Sequence, residues 1–257
     1  MDAVSYEVVD RVAVITIERP ERRNAMDVDV FGQLRERALQ AAGDRDVGAV
    51  LVGGRDGVFS SGIDTSVFGG QAEGGITLDF IDRLQSAFTA YEDLDKPTVA
   101  LVEGHCYGAG FQLAIACHVR LAAPTARMSL MEASWGLVPD LGGTYRLPRL
   151  VGLGRATELA LTARVVEIDE IVAIGLAERR LGSDDPRAEA LELARRLANG
   201  PHALREIPRL MRENAGRDRP AGLQAEALAQ VRCIQHPDFA EAVTARFEGR
   251  DPRFSGA

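Results

Sequence analysis

Three short apolar runs constrain this chain more than anything else in it. VAVITI at residues 12–17, VGAVLV at 47–52 and TVALV at 98–102 have strand length and are rich in β-branched side chains. Each reads as a buried strand. The stretches between them read as helices. Asp27 stands where it can cap a helix running to about residue 42. Residues 76–94 place Phe80, Leu84, Phe88 and Tyr91 on one helical side. This alternation predicts right-handed β–α–β units for the first half of the chain. A helix over 111–119 and short strands near 119–122 and 127–130 continue it. From Gly142 onward the pattern is almost wholly helical, interrupted at 177–182, with helices over 189–199, 202–214, 223–233 and 239–248. The division predicts a core of residues 1–195 and a helical region, 196–257. The apolar faces of that tail need a partner, on their own domain or on a neighbouring subunit, which predicts an oligomer.

Composition narrows the function classes. The chain has 257 residues, 46% hydrophobic and 26% charged, enough for one large domain with a sizeable core. No apolar run approaches the ~18–20 residues a membrane helix needs. The opening MDAVSYEVVDR lacks the basic-then-apolar pattern of a signal peptide, so a cytoplasmic protein is expected. Cys106, Cys117 and Cys233 are too sparse and irregular for a disulfide framework, and the four histidines show no metal-ligand spacing. A net charge of −8 argues against nucleic acid. An anionic ligand would need a local basic patch. Arg19, Arg22 and Arg23 either supply it or line a solvated loop.

Two loops stand out chemically. FSSGID (59–64) follows the second strand, and GHCYGAG (104–110) joins the third strand to a helix. Glycine there lets backbone approach a ligand closely, and the second loop feeds a helix N-terminus, where free N–H groups face outward. Together they can present two donors to one developing oxyanion, each worth roughly 2.7–4 kcal/mol of barrier. GHCYGAG also allows a dinucleotide turn or a tight helix–strand contact, though its glycines fit G-x-G-x-x-G poorly, and no P-loop is present. Downstream, Glu132 sits among Met131, Trp135 and Leu137. A carboxylate in apolar surroundings has a raised pKa, which suits a proton shuttle; a capping or surface role is the alternative. Asp140 lies in a Pro-Asp-Leu-Gly-Gly turn and is open to the same two readings. His105 and Cys106 are adjacent and lack an orienting carboxylate, which makes a Cys–His pair a poor reading. His118 reads as structural.

Taken in order, the motifs resemble the crotonase (enoyl-CoA hydratase/isomerase) superfamily. RPERRNAMD resembles its R-P-x-x-x-N-A-L segment, and FSSGIDTSVF its F-x-A-G-x-D-(I/L). The block from VEGHCYGAG to LPRLVG resembles the one carrying the second oxyanion donor and the catalytic carboxylates. LTARVVEIDEIVAIGLAERR and EGRDPRFSG resemble later family segments, so the likeness is collinear over nearly the whole chain.

The resemblance implies an α/β fold, a crotonase-like spiral of ββα units with a helical C-terminal trimerisation region, as a homotrimer or dimer of trimers. It implies an acyl-CoA thioester substrate, with CoA arriving as part of it and no metal or other cofactor. The Ile63 and Ala109 N–H groups would hold the thioester oxygen. The backbone at Ala25 and Ser61 would meet the adenine, and Ile63, Asp64, Thr65 and Ser66 would line the pantetheine and thioester. Ser66 stands where family members often carry Lys, leaving Arg22 or Arg23 to meet a phosphate. Trp135 and the glycine-rich 69–75 stretch would shape the acyl pocket. The family's hydratases use two glutamates, where this chain has Gln112 and Glu132. Gln112 can orient a water but cannot accept its proton. That loss, typically ~10²–10⁴-fold, makes double-bond isomerisation the expected reaction, with Glu132 as acid/base and Asp140 as a second proton carrier. A slow hydratase, another reaction of the superfamily and a non-catalytic acyl-CoA-binding protein are the alternatives.

Overall fold

The computed structural model describes residues 2–69, 76–182 and 184–255. The three apolar runs are strands in a six-stranded sheet, together with an N-terminal strand that the sequence pattern does not announce. These are β1 (Val4–Val9), β2 (Val12–Ile17), β3 (Ala49–Gly54) and β4 (Thr98–Val102). Asp10 and Arg11 close the β1–β2 hairpin, both left-handed at φ 49° and 68°. β1 escapes notice because it is an edge strand, where Ser5 and Glu7 interrupt the apolar residues.

The continuous apolar character of β3 follows from burial on both faces. Its side chains alternate. Val50 and Val52 join the large core with Phe31, Leu34 and Phe88. Ala49 and Leu51 join a second core with Ala190, Ala194 and Ala198.

Four passes of chain then repeat one plan: a strand in the large sheet, a short paired segment in a second layer, and a helix. The first pass is β2, a bridge at Met26 and α1 (Val28–Gly43), whose N-cap Asp27 accepts from the Val30 N–H at 3.0 Å. The second is β3, bridges at Ser60 and Ile63, then α2 (Ser66–Gly69) and α3 (Leu78–Glu92). The third is β4, β5 (His105–Tyr107) and α4 (Ala109–Ala114). The fourth is β6 (Val119–Ala122), β7 (Arg127–Ser129), a 3₁₀ turn over Met131–Trp135 and α5 (Gly143–Val151). Large-sheet neighbours from β2 to β6 pair in parallel, as β–α–β crossovers require. This is the expected spiral of ββα units. α6 (Leu153–Thr162), β8 (Val166–Glu167), α7 (Ile168–Ala173) and β9 (Arg179–Arg180) follow, with β9 closing the large sheet in the segment that interrupts the helical pattern.

α8 (Pro186–Ala198) covers the far face of the sheet, so the sequence boundary at 195/196 falls in its last turn. The helical region continues as α9 (Ala203–Asn214), α10 (Arg219–Gln235) and α11 (Pro237–Glu248). β3 starts two residues later than predicted. The backbone at Gly48 lies against α8, where a Cβ would sit 2.2 Å from the Ala198 carbonyl oxygen. α4 runs from 109 to 114 rather than 111 to 119, because the chain tightens into i→i+3 bonds from Ala116 to Leu113 and from Cys117 to Ala114. Among the described residues no helix is long and apolar enough to cross a membrane.

Candidate active site

The spiral brings the two glycine-bearing loops together by register. Ser60 bridges Cys106, with the Ser60 N–H donating to His105 O at 2.9 Å and the Tyr107 N–H to Ser60 O at 3.0 Å. Counting three residues on from that pair reaches Ile63 on one pass and Ala109 on the next, so the two amides occupy equivalent places on adjacent passes. Glycine makes the approach possible. Gly62 has φ +105°, and a Cβ there would lie 3.0 Å from Tyr107 O and 3.6 Å from Ala109 N. A Cβ on Gly110 would lie 2.8 Å from Ser60 Cβ. Ala109 opens α4, so its N–H has no acceptor one turn back. Among the described residues no acceptor is found for either amide.

Glu132 lies in the 3₁₀ turn of the fourth pass and is only 9% exposed. Gln112, on α4 and fully buried, donates from Nε2 to Glu132 Oε1 at 2.6 Å. The amide's orientation is set by its other end. Gln112 Oε1 accepts from the N–H groups of Leu141 at 2.9 Å and Gly143 at 2.8 Å, so the nitrogen must face the carboxylate. Glu132 Oε2 is buried and has no partner among the described residues. Burial pushes the Glu132 carboxyl above its ordinary range; the Gln112 hydrogen bond opposes this and the Asp140 charge adds to it. Burial likewise raises Asp140, whose carbonyl accepts from Gln85 Nε2 at 2.5 Å.

Ile63, Ala109, Glu132 and Asp140 line one cavity of about 160 Å³, walled by Val67, Phe68, Phe80, Ile81, Leu84 and Leu137. A larger, more open cleft of about 820 Å³ adjoins it and shares Val138, Asp140 and Leu141. That cleft contains neither amide nor Glu132, so the chemistry belongs to the smaller cavity.

The other site residues predicted from sequence divide into two groups. Ser61 meets the segment that leads into Ala25 on the adjacent pass, its N–H donating to Arg23 O at 2.9 Å, and Thr65 and Ser66 are exposed. Arg22 and Arg23 are exposed on the same rim. Arg19 is not part of that patch: its guanidinium pairs with Asp27 at 3.0 Å and Asp64 at 3.3 Å and donates to Ala25 O at 2.7 Å. Asp64 gives its second oxygen to the Ser66 N–H at 3.0 Å, and that bond, with Arg19, lowers its pKa. Both its oxygens thus latch the loop. Trp135 is 68% exposed and does not line the cavity; Leu137 and Val138 take the wall position. Of the 69–75 stretch, Gly69 ends α2 and residues 70–75 lie outside the described residues. Cys106 is fully buried and the His105 ring stacks on Tyr107 at 4.8 Å, so they form no Cys–His pair. His118 is structural, Nδ1 accepting from the Thr98 N–H at 3.1 Å. Sequence reasoning missed Gln85 and the grip of the 140–143 turn on Gln112, since both link residues remote in sequence and no local pattern marks them.

Comparison with known proteins identifies the family and the fold. The family model for enoyl-CoA hydratase/isomerase matches residues 7–257. The peroxisomal fatty acid beta-oxidation multifunctional protein MFP2 of Arabidopsis thaliana is 39% identical over 197 residues, which are 74% of this chain and 26% of MFP2. The chain thus spans about a quarter of the length of such multifunctional relatives. The mitochondrial methylglutaconyl-CoA hydratase of Mus musculus is 30% identical over 251 residues, 95% of this chain and 80% of that protein. An enoyl-CoA hydratase structure from Streptomyces coelicolor A3(2) superposes with a TM-score of 0.94 at 31% identity, covering 99% of this chain and 94% of that one. A Thermobifida fusca YX relative in complex with CoA superposes with a TM-score of 0.82 at 33% identity, covering 91% and 93%.

Proposed function

Because the chain belongs to the enoyl-CoA hydratase/isomerase family of the crotonase superfamily, we propose that it moves the double bond of enoyl-CoA thioesters, with Glu132 as the proton carrier. The observation that carries this reading is the state of position 112. Its side-chain oxygen is engaged by two backbone N–H groups and its nitrogen donates to Glu132. It therefore offers no base, which leaves one carboxylate at the place where hydratases of this family use two.

In this reading the substrate's thioester oxygen accepts from the Ile63 and Ala109 N–H groups. Glu132 Oε2 takes a proton from carbon 2 of a 3-enoyl group. The C–H electron pair delocalises through carbon 1 onto the oxygen, where the two donors stabilise the dienolate. Return of the proton at carbon 4 leaves the double bond at carbon 2. Asp140, on the same cavity, is the second proton carrier. CoA lies along residues 61–66 and Ala25, with Arg22 and Arg23 meeting its phosphates; the CoA complex of the Thermobifida relative supports CoA as the carried group. No metal or redox step is required. The working assembly is a homotrimer or dimer of trimers.

Hydration is the second reading, and the names of the hydratase relatives favour it. Purified protein offered 2-enoyl, 3-enoyl and 3,5-dienoyl thioesters, followed by ultraviolet absorbance, separates the two. The 3-enoyl substrate should turn over fastest. Hydration of the 2-enoyl substrate at a higher rate would replace isomerase with hydratase. The Glu132→Gln variant should lose ~10²–10⁴-fold in kcat, and retained activity would remove Glu132 from its role. Binding without turnover of any of the three would leave an acyl-CoA-binding protein.

A further inference from the structure

The walls of the catalytic cavity carry information about the acyl group itself. Besides Glu132 and Asp140, its lining is hydrocarbon, and among the described residues it holds no Arg, Lys or His. The sequence extends this beyond the described positions. Residues 56–82, which supply Ile63, Val67, Phe68, Phe80 and Ile81, contain no basic residue and five acidic ones: Asp56, Asp64, Glu73, Asp79 and Asp82. Residues 106–117 and 128–145, which supply Ala109, Glu132 and Asp140, contain none either. Whatever positions residues 70–75 adopt, they bring no cation. Arg83 and Arg146, which follow two of these segments in sequence, are not in the lining. Arg83 is exposed, 5.7 Å from the centre of the Phe80 ring, and does not line the cavity. Arg146 is paired with Glu92 at 2.6 Å and donates to Leu141 O at 2.9 Å.

The geometry points to an acyl pocket that takes an uncharged hydrocarbon group and rejects one ending in a carboxylate. This deepens the acyl-CoA reading above and rests on it. A terminal carboxylate placed here would be desolvated without a counter-charge and would face two like charges. Rejection by unpaired charge is an effective form of specificity.

Calorimetric titration of the full chain with valeryl-CoA, glutaryl-CoA and free CoA tests this. The two thioesters have the same carbon count and differ in the terminal carboxylate. Valeryl-CoA should bind at least tenfold more tightly than glutaryl-CoA, and glutaryl-CoA no more tightly than CoA. A gap below tenfold overturns the inference. Val138→Lys places a cation at the cavity wall on a residue that is 72% exposed, where folding tolerates it. It should narrow the gap at least threefold, and an unchanged gap would show that charge is not the cause and overturn the inference. If none of the three ligands binds, the acyl-CoA reading fails and this falls with it. If valeryl-CoA binds but no enoyl thioester turns over, the reaction assignment fails and the acyl-charge inference stands.

Discussion

A single buried carboxylate with one oxygen held and the other unpartnered has two pH signatures. Burial, ahead of all other causes, raises the Glu132 carboxyl above its ordinary value of ~4.3. Its ionised form is the base, so kcat should rise with pH through a limb lying above the usual carboxylate range. A group whose folded pKa is raised contributes stability below its unfolded pKa and loses it as pH climbs through the folded one. Glu132→Gln removes that loss. Its melting temperature should therefore exceed that of the parent at pH 8 and match it at pH 4, the opposite order of the activity. An equal shift at both pH values would mean that Glu132 is not held in a low-dielectric site. Position 112 gives a second test. In Gln112→Glu, the Leu141 and Gly143 N–H groups would hold one new oxygen. The other would face Glu132 Oε1 across the 2.6 Å now spanned by the amide hydrogen bond. Two carboxylates that close share one proton. Hydration of a 2-enoyl thioester should then rise at least tenfold and acquire a bell-shaped pH profile. An unchanged rate would mean that the cavity holds no water where hydration needs it.

At the scale of elements, the site depends on how closely consecutive passes of the spiral stack. Gly110 is the sharpest test, because a methyl there meets the backbone and Cβ of Ser60 at under 3.0 Å and neither can swing away. Gly110→Ala should push α4 off the 60–63 loop, separate the two amides and cost about 1–3 kcal/mol of stability, as overpacking does. Its kcat should fall by about 10²-fold or more, the worth of one misplaced oxyanion donor; a variant with parental kcat would show that the amides do not act together. The same stacking decides what was legible in the sequence. Strands β2, β3 and β4 stood out because burial on both faces makes them continuously apolar, and α1 because Asp27 caps it. The glycines of 62, 108 and 110 marked the loops that carry Ile63 and Ala109. Arg19 was misjudged because its partners, Asp27 and Asp64, lie on two different passes. Trp135 was misjudged because apolar character alone does not say which way a 3₁₀ turn points a side chain. The engagement of Gln112 is not legible locally, because its three hydrogen bonds come from residues 20 to 31 positions away.

At the scale of the whole molecule, the helices of the C-terminal region leave apolar stripes uncovered. On α11, Phe239, Val243 and Phe247 recur every four residues as a stripe and are 49%, 40% and 89% exposed. On α10, Leu228, Val231 and Ile234 recur every three and are about half exposed. Uncovered apolar stripes on a chain of net charge −8 are where an interaction surface is expected. The expected occupant is a second copy, since the sequence pattern and the family likeness both imply a homo-oligomer. Light scattering coupled to gel filtration should give three or six times the 27.7 kDa chain mass. The thermal midpoint should rise with protein concentration, as it does when association and folding are linked. The double variant Val243→Asp, Phe247→Asp places two charges in the stripe without touching the spiral core. It should lower the mass to that of one chain while the far-ultraviolet circular dichroism keeps its helical signal. A parent protein of 27.7 kDa at micromolar concentration, with a midpoint independent of concentration, would refute the oligomer and leave this apolar stripe to a partner other than a copy of the same chain.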